Sequence, residues 1–426
     1  METVGQKAIL NELFKRLTEP AKSRIKLYQI AILIYMDQIL NLVINKFMFF
    51  RVKIEEKKSN LSLSKMRQSQ IKLDILSKER IQQSLDLVHA KARKSFVDLQ
   101  KMHENCKSHQ ETPELFCEPY IHNGFRPINQ PYSYYALSLF TKHNETINAW
   151  SHYLGAMYTL YLAFTMDFSD HFSWPLLSCL ITATIMFISS ATAHLMHQKS
   201  HLCHMTCFLC DFGGISFNGY GAAFMQTFIC SPVWYYKNLE PYLLPIIGLQ
   251  SALCCLLNSI AQTKYKRPYP PIKRFLQFAP CGLLWLFAIL PLFLNFFIDS
   301  PGENLKISYA LHFCHIFTFL LGAAFFALDF PQRFFPGRLD FFGQGHNIFH
   351  VCIFFVVYFQ FKACYTDFVN NRDIIKSTRQ EPNVYMCFGS LILLVSYYFY
   401  MIRSFYNMIK HNFDAEGNLI MTKKTK

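Results

Sequence analysis

Charge is scarce in this 426-residue chain. Asp, Glu, Lys and Arg together make up 16% of it, against about 25% in ordinary soluble domains. Beside an apolar share of 52%, that deficit excludes a water-soluble protein of usual surface. The N-terminal stretch METVGQKAILNELFKRLTEP lacks an apolar core, so no cleavable signal peptide is expected and insertion begins from an internal span. A dense disulfide framework is also missing: the 14 Cys are scattered, mostly inside apolar segments, where Cys acts as a small hydrophobe. No zinc-finger spacing or RNA-binding signature interrupts the basic stretches. The net charge of +14 is therefore assigned to cytosolic segments facing anionic lipid headgroups, and not to nucleic acid. There is no repeated half and no pair of broken apolar segments, which counts against a transporter.

What the chain does have is 43 Phe, 23 Tyr and a series of apolar runs beginning near Asn148. Each crossing of a bilayer needs about 20 such residues. The expected spans are 148–167, 172–195, 207–230, 242–262, 274–298, 307–329, 346–366 and 385–408. The fold class is thus all-α: a polytopic membrane bundle of seven core transmembrane helices plus an eighth. Residues 1–115 form a basic, partly helical or disordered cytosolic extension, 116–410 the membrane domain and 411–426 a basic tail. Within the extension, Leu27 to Phe50 is apolar but interrupted by Asp37, Gln38, Asn41, Asn45 and Lys46. Those residues are costly at mid-bilayer, so an interfacial helix is favoured there over a span. Ile71, Ile75, Ile81, Leu85, Val88 and Phe96 recur among Lys, Arg and Gln, as in an amphipathic helix or a short coiled coil, a solvated helix or tail being the alternative.

Alternate links are basic. The fourth carries Lys264, Lys266, Arg267, Lys273 and Arg274, the sixth Arg333 and Arg338, and the C-terminal tail Arg403, Lys410, Lys423, Lys424 and Lys426. The first link has no Lys or Arg, and the third and fifth have one each, Lys237 and Lys306. The positive-inside rule then puts both termini in the cytosol. The seventh link breaks the pattern with Lys362, Arg372, Lys376 and Arg379.

This topology sorts the polar residues by depth. Ser190 and His194 fall at the cytoplasmic end of the second span, Asp211 about one turn into the third, and His346 and His350 in the first two turns of the seventh. His346 and His350 are four apart and share a helix face. With His194 they make the three-nitrogen set of a catalytic zinc site, which leaves a fourth position for water. Asp211 is placed to take a proton from that water or to orient a ligand, and Ser190 to reach the water or the His194 ring. A second candidate zinc set is crowded into the second link: His197, His201, Cys203, His204, Cys207 and Cys210. His312 and His315 read as packing residues. Phe217 and Tyr220 read as helix packing before sterol contact.

Four motifs then resemble a known family. KHNETINAWSHYLG (Lys142 to Gly155) is similar to the first-span opening of the progestin and adipoQ receptors. SSATAH with Asp211 downstream resembles their SxxxH and Asp pair, and PQRFFPGRLDFFGQGHNIFH (Pro331 to His350) their Pro-Gly-Arg-Asp loop and HxxxH. EPYIHNGFRP lies ahead of the membrane domain as it does in the family, and the resemblance covers about residues 116–400. The eighth span and QEPN look most like the membrane progestin receptors. The resemblance implies a plasma-membrane receptor for a progestin-like steroid, coupled to G proteins. It carries zinc ligands onto His194, His346 and His350, a site carboxylate onto Asp211 and a site serine onto Ser190. The family in turn resembles alkaline ceramidases, which implies an alternative: zinc-dependent hydrolysis of a sphingolipid amide. The chain departs from the family in its long extension and in Gly345, which stands where a small polar residue often precedes the first His. Asn144-Glu145-Thr146 fits a glycosylation sequon on the side predicted cytosolic.

Overall fold

A computed structural model gives the fold of residues 105–265, 269–298, 305–414, 417, 418 and 420. The expected interfacial and amphipathic helices (27–50 and 71–99) lie outside the described residues, as do Lys266, Arg267, Lys423, Lys424 and Lys426.

Among the described residues the first element is a small β-pair. A two-residue strand, β1 (Lys107–Ser108), pairs antiparallel with β2 (Asn123–Phe125). Phe116, Ile121 and Phe125 bury their side chains there. After a short helix α1 (Tyr132–Ser138) come three long helices: α2 (Thr146–Thr165), α3 (Trp174–Met196) and α4 (His201–Cys230). Then follow α5 (Val233–Lys264), α6 (Pro271–Phe297), α7 (Tyr309–Ala327) and α8 (Gly345–Asn370). A short α9 (Arg372–Thr378) leads through one π-turn (Tyr385–Gly389) into α10 (Ser390–Ile409).

Among the described residues, six helices are long and apolar enough to cross a membrane by length and composition. The two remaining long helices, α2 and α4, carry buried polar residues such as Asn148, His152, Asp211 and Gln226, which lower their hydropathy. α4 packs against α3, α5, α6, α8 and α10, so most of its surface meets protein. Phe296, Phe313, Ile392, Leu393 and Phe399 are exposed on the outer helices. In water a girdle of that kind is an association hazard; around a bundle in lipid it is the ordinary solvent-facing surface. The protein is an integral membrane protein built as a helical bundle.

Helix ends differ from the expected spans where helix continues past the apolar zone. α5 starts at Val233 rather than 242 and winds through Pro241 and Pro245. α4 starts at His201, so Asp211 lies ten residues into its helix instead of about one turn. Hydropathy marks where lipid begins, whereas a helix stops only where its backbone finds another partner. For α4 that partner is Ser200, whose hydroxyl accepts from Cys203 N at 3.3 Å. One 3-10 turn, His197–Lys199, joins it to α3.

α3 and α4 touch backbone to backbone. A Cβ at Gly214 would meet Met186 Cα at 3.1 Å and the Ser189 hydroxyl, and one at Gly221 would meet Thr182 Cβ at 2.9 Å. Small residues permit such close approach where lipid supplies no hydrophobic force between helices. Beyond this contact an apolar core of Leu176, Leu180, Phe224, Phe228, Tyr236 and Leu292 fills the end of the bundle remote from the three histidines.

Candidate metal centre and its cavity

The last turn of α3 would leave its carbonyls unpaired. Arg126, 1% exposed, supplies the donors: Nη2 donates to His194 O at 2.8 Å, and Nη1 donates to Leu195 O and to Ser138 Oγ. A cation at a helix C-terminus also offsets the negative end of its dipole. The start of α8 is pinned as firmly. Gly345 N donates to Gln332 Oε1 at 2.7 Å, and Gln344 Nε2 donates to Asn144 O at 2.9 Å. A Cβ at Gly345 would lie 2.5 Å from both Phe325 O and Phe330 O, so the family departure at this position meets a steric requirement for glycine.

Held in this way, three imidazoles converge. His346 Nε2 is 3.4 Å from His194 Nε2 and 3.1 Å from His350 Nε2. His194 and His350 are 3% and 2% exposed. The His194 Nδ1 is 2.8 Å from Glu145 Oε2. A carboxylate there accepts a proton-bearing Nδ1, which leaves the Nε2 lone pair facing the other two rings. Nitrogens about 2.05 Å from a tetrahedral zinc stand about 3.3 Å apart. The donor set therefore fits a metal ion held by His194, His346 and His350.

Glu145, Asn148 and His152 complete the surroundings, and none of them was singled out from sequence as a site residue. Asn148 donates to Glu145 Oε2 at 2.6 Å and accepts from Asn347 Nδ2 at 2.8 Å. A continuous hydrogen-bonded chain thus runs from α8 through α2 to the His194 ring. Burial by itself raises the Glu145 carboxyl's pKa; the imidazoles of His194 and His197 outweigh that and hold it well below the usual carboxylate range. His152 stacks on His350 with ring centroids 4.0 Å apart, and neither of its ring nitrogens has a hydrogen-bond partner. The available signal was spacing: 145, 148 and 152 share one helix face inside the motif running from Lys142 to Gly155. Asn144, of the sequon, is 1% exposed and closed to glycosylation.

Ser190 and Asp211 line the same cavity as the three histidines. The Ser190 side chain interacts with the Asp211 carboxylate, and Asp211 Oδ1 is buried without a hydrogen-bond partner. The cavity, about 400 Å³, continues into the bundle between α4, α5, α6, α7 and α8 past Ile215, Leu284, Trp285, Phe319 and Val357 to Gln360. It is polar at one end and chiefly apolar beyond.

The His- and Cys-rich turn between α3 and α4 brings His197 Nδ1 within 3.2 Å of His204 Nδ1, and Cys203 Sγ within 3.7 Å of Cys207 Sγ. It does not bring three candidate ligand atoms to one point. Among the described residues two groups do so: the three histidines, and Cys230 with His312 and Cys364. Phe217 and Tyr220 are buried away from the cavity wall, the first edge-on to Tyr398 and the second tilted on Phe224. Both are packing residues.

Comparison with known proteins adds a second line of observation. A family model described as haemolysin-III related matches residues 140–361. The chain is 31% identical over 292 residues to membrane progestin receptor beta of Sus scrofa, spanning 67% of this chain and 82% of that protein. It is 32% identical over 270 residues to membrane progestin receptor alpha of Homo sapiens, with 62% and 77% covered. Against membrane progestin receptor alpha-B of Danio rerio the identity is 31% over 271 residues.

Proposed function

This chain belongs to the haemolysin-III-related family of progestin and adipoQ receptors, and on that premise we propose that it is a membrane receptor for a progestin-like steroid or related lipid. The observation that carries the proposal is the cavity of about 400 Å³ with a polar head and an apolar body. Small-molecule sites fall in the range of about 300–1,000 Å³ and pair apolar walls with a few convergent polar groups. A fused-ring lipid with one polar end matches that distribution. Binding between α4, α5, α6, α7 and α8 gives the ligand a means of favouring one arrangement of these helices over another, read out by a G protein at the cytosolic face.

The orientation has both termini in the cytosol, with seven core spans and α10 as the eighth, in the plasma membrane. Structural use of three of its four cations lessens the exception in the seventh link. Arg372 Nε and Lys376 Nζ lie 2.9 and 3.1 Å from Asp170 Oδ2. Arg379 is buried, and its Nε donates to Phe228 O at 3.2 Å. Charges committed to the fold in this way are not the free loop charges that the rule counts.

His194, His346 and His350 would hold zinc, tying α3 to α8. Zinc in such a ligand set brings the pKa of water to about 7. Amide hydrolysis of a ceramide-like lipid is therefore the second reading, and the unpartnered Asp211 Oδ1 in a residue that lines the same cavity favours it. In that reading Asp211 takes up the proton released on attack, and the Ser190 hydroxyl donates to the developing oxyanion.

Binding of a labelled progestin to purified protein in lipid nanodiscs tests the receptor proposal. Saturable binding that is lost in Ala323→Trp, which fills the cavity, supports it. Absent binding, or binding indifferent to that substitution, overturns it. Ceramide turnover by the wild type that is abolished in Asp211→Asn, in a protein without saturable progestin binding, would instead select the hydrolase.

A further inference from the structure

A second cluster lies at the opposite end of the bundle. Cys230 ends α4, His312 is in the first turn of α7, and Cys364 and Asp367 are three apart on one face of α8. All four are at most 2% exposed. Along α8, the 14 residues from His350 to Cys364 span about 21 Å, so the cluster is separate from the three-histidine site.

The Cys230, His312 and Cys364 ligand atoms lie within 4.8 Å of one another. Asp367 Oδ2 flanks two of them, 2.8 Å from His312 Nε2 and 3.6 Å from Cys230 Sγ, and Cys230 Sγ is 3.9 Å from His312 Nε2. With bonds of about 2.3 Å to sulfur and 2.1 Å to nitrogen or oxygen, tetrahedral geometry sets these pairs about 3.4–3.6 Å apart. The three pairs among Asp367, His312 and Cys230 depart from these separations by about 0.6 Å at most, and the Cys364 Sγ lies within 4.8 Å of the Cys230 and His312 ligand atoms. Both flanking groups are already oriented. Ser308 N donates to Asp367 Oδ1 at 2.7 Å, and His315 Nε2 stands 3.2 Å from His312 Nδ1. Such outer contacts fix ligand rings and carboxylates in metal sites.

We propose that Cys230, Cys364, His312 and Asp367 form a second zinc site that joins the ends of α4, α7 and α8. Two thiols and an imidazole select a borderline-soft ion such as zinc over magnesium or calcium. A cation there also complements the Asp367 side chain, which is fully buried among these helices, where a charge is costly. The metal-free rival is a simple hydrogen bond from His312 Nε2 to Asp367 beside two inert thiols.

Sulfur separates the two sites, because the first offers only nitrogen and oxygen. The experiment is zinc content and zinc X-ray absorption on the purified full chain, on His346→Ala/His350→Ala and on Cys230→Ser/Cys364→Ser. The expected result is about two zinc per chain, with sulfur scattering at about 2.3 Å that survives in the histidine variant and disappears in the cysteine variant. No sulfur shell in the wild type, a shell that persists in the cysteine variant, or a Cys230–Cys364 disulfide in the peptide map overturns the proposal. If the cysteine variant does not fold, Cys203→Ser/Cys207→Ser decides: retention of the shell supports the site and its loss assigns the sulfur to the α3–α4 turn. Loss of zinc from the histidine variant alone tests the first site independently.

Discussion

Glu145 Oε2 stands 2.8 Å from Nδ1 of His194, on the side of the ring opposite the nitrogen that faces His346. One carboxylate at the start of α2 therefore selects which imidazole nitrogen of α3 is free to bind. Replacing it by an amide removes that selection, since a glutamine side chain can donate to Nδ1 and push the proton onto Nε2. Glu145→Gln is expected to weaken zinc binding about 10- to 100-fold without unfolding the bundle. A competition titration with a zinc chelator measures this. Equal affinity in wild type and variant would show that the contact does not tune the site.

Arg126 is expected to matter for stability. Its guanidinium serves two carbonyls of the last α3 turn and Ser138 from a fully buried position. Arg126→Met leaves those acceptors unpaired, at a cost of about 2–4 kcal/mol. Arg126→Lys recovers little, because an ammonium cannot reproduce the fork. Thermal unfolding in detergent reads the effect, and a melting temperature unchanged in Arg126→Met would contradict it.

Gly345→Ala tests the close approach at the head of α8. The added methyl meets two backbone oxygens, which cannot swing aside as a side-chain tip can. A loss of about 1–3 kcal/mol is expected, with reduced zinc occupancy because His346 is the next residue. Gly248→Ala is the control, since nothing lies within 4 Å of a Cβ there. Equal behaviour of the two variants would refute the steric argument.

Two arginines seven residues apart should differ in worth. Arg372 pairs with Asp170 while its side chain remains 52% exposed, so Arg372→Gln should cost less than about 1 kcal/mol. Arg379 is 5% exposed and caps α4, and its guanidinium lies 4.2 Å from the Tyr236 ring centroid. Arg379→Gln should cost about 2–4 kcal/mol. Melting curves for the pair decide, and a reversed order would mean that burial is the wrong criterion.

The sequence made some of this legible and hid the rest for physical reasons. His346 and His350 declare themselves by a four-residue spacing, and His194 joins them once the spans are placed. Glu145 and Asn148 sit at the mouth of a span, where polar residues are ordinary. Their role exists only because α2 packs beside α3 and α8, a non-local fact that local pattern does not carry. Arg126 carries no local signal of its role, because the carbonyls it serves are about 70 residues away. His312 read as a packing residue, and it is buried and hydrogen-bonded; that its partners are Asp367 and Cys230 is again non-local, since they reach it from other helices. Helix ends were the least legible feature, since α5 runs well past the apolar zone that hydropathy detects.

The backbone contact between α3 and α4 has a mechanical consequence. Gly214 sits against Ser189 and Gly221 against Thr182, and a single short turn couples the two helices. A slide by one residue would bring Tyr220 in one direction, or Ile215 and Ala222 in the other, into these notches, so the pair is indexed like meshed teeth. His194 rides on one member and Asp211 on the other, which makes their separation a constant of the molecule. Whatever opens or tightens the centre must then come from travel of α8, which brings His346 and His350 to a fixed jaw.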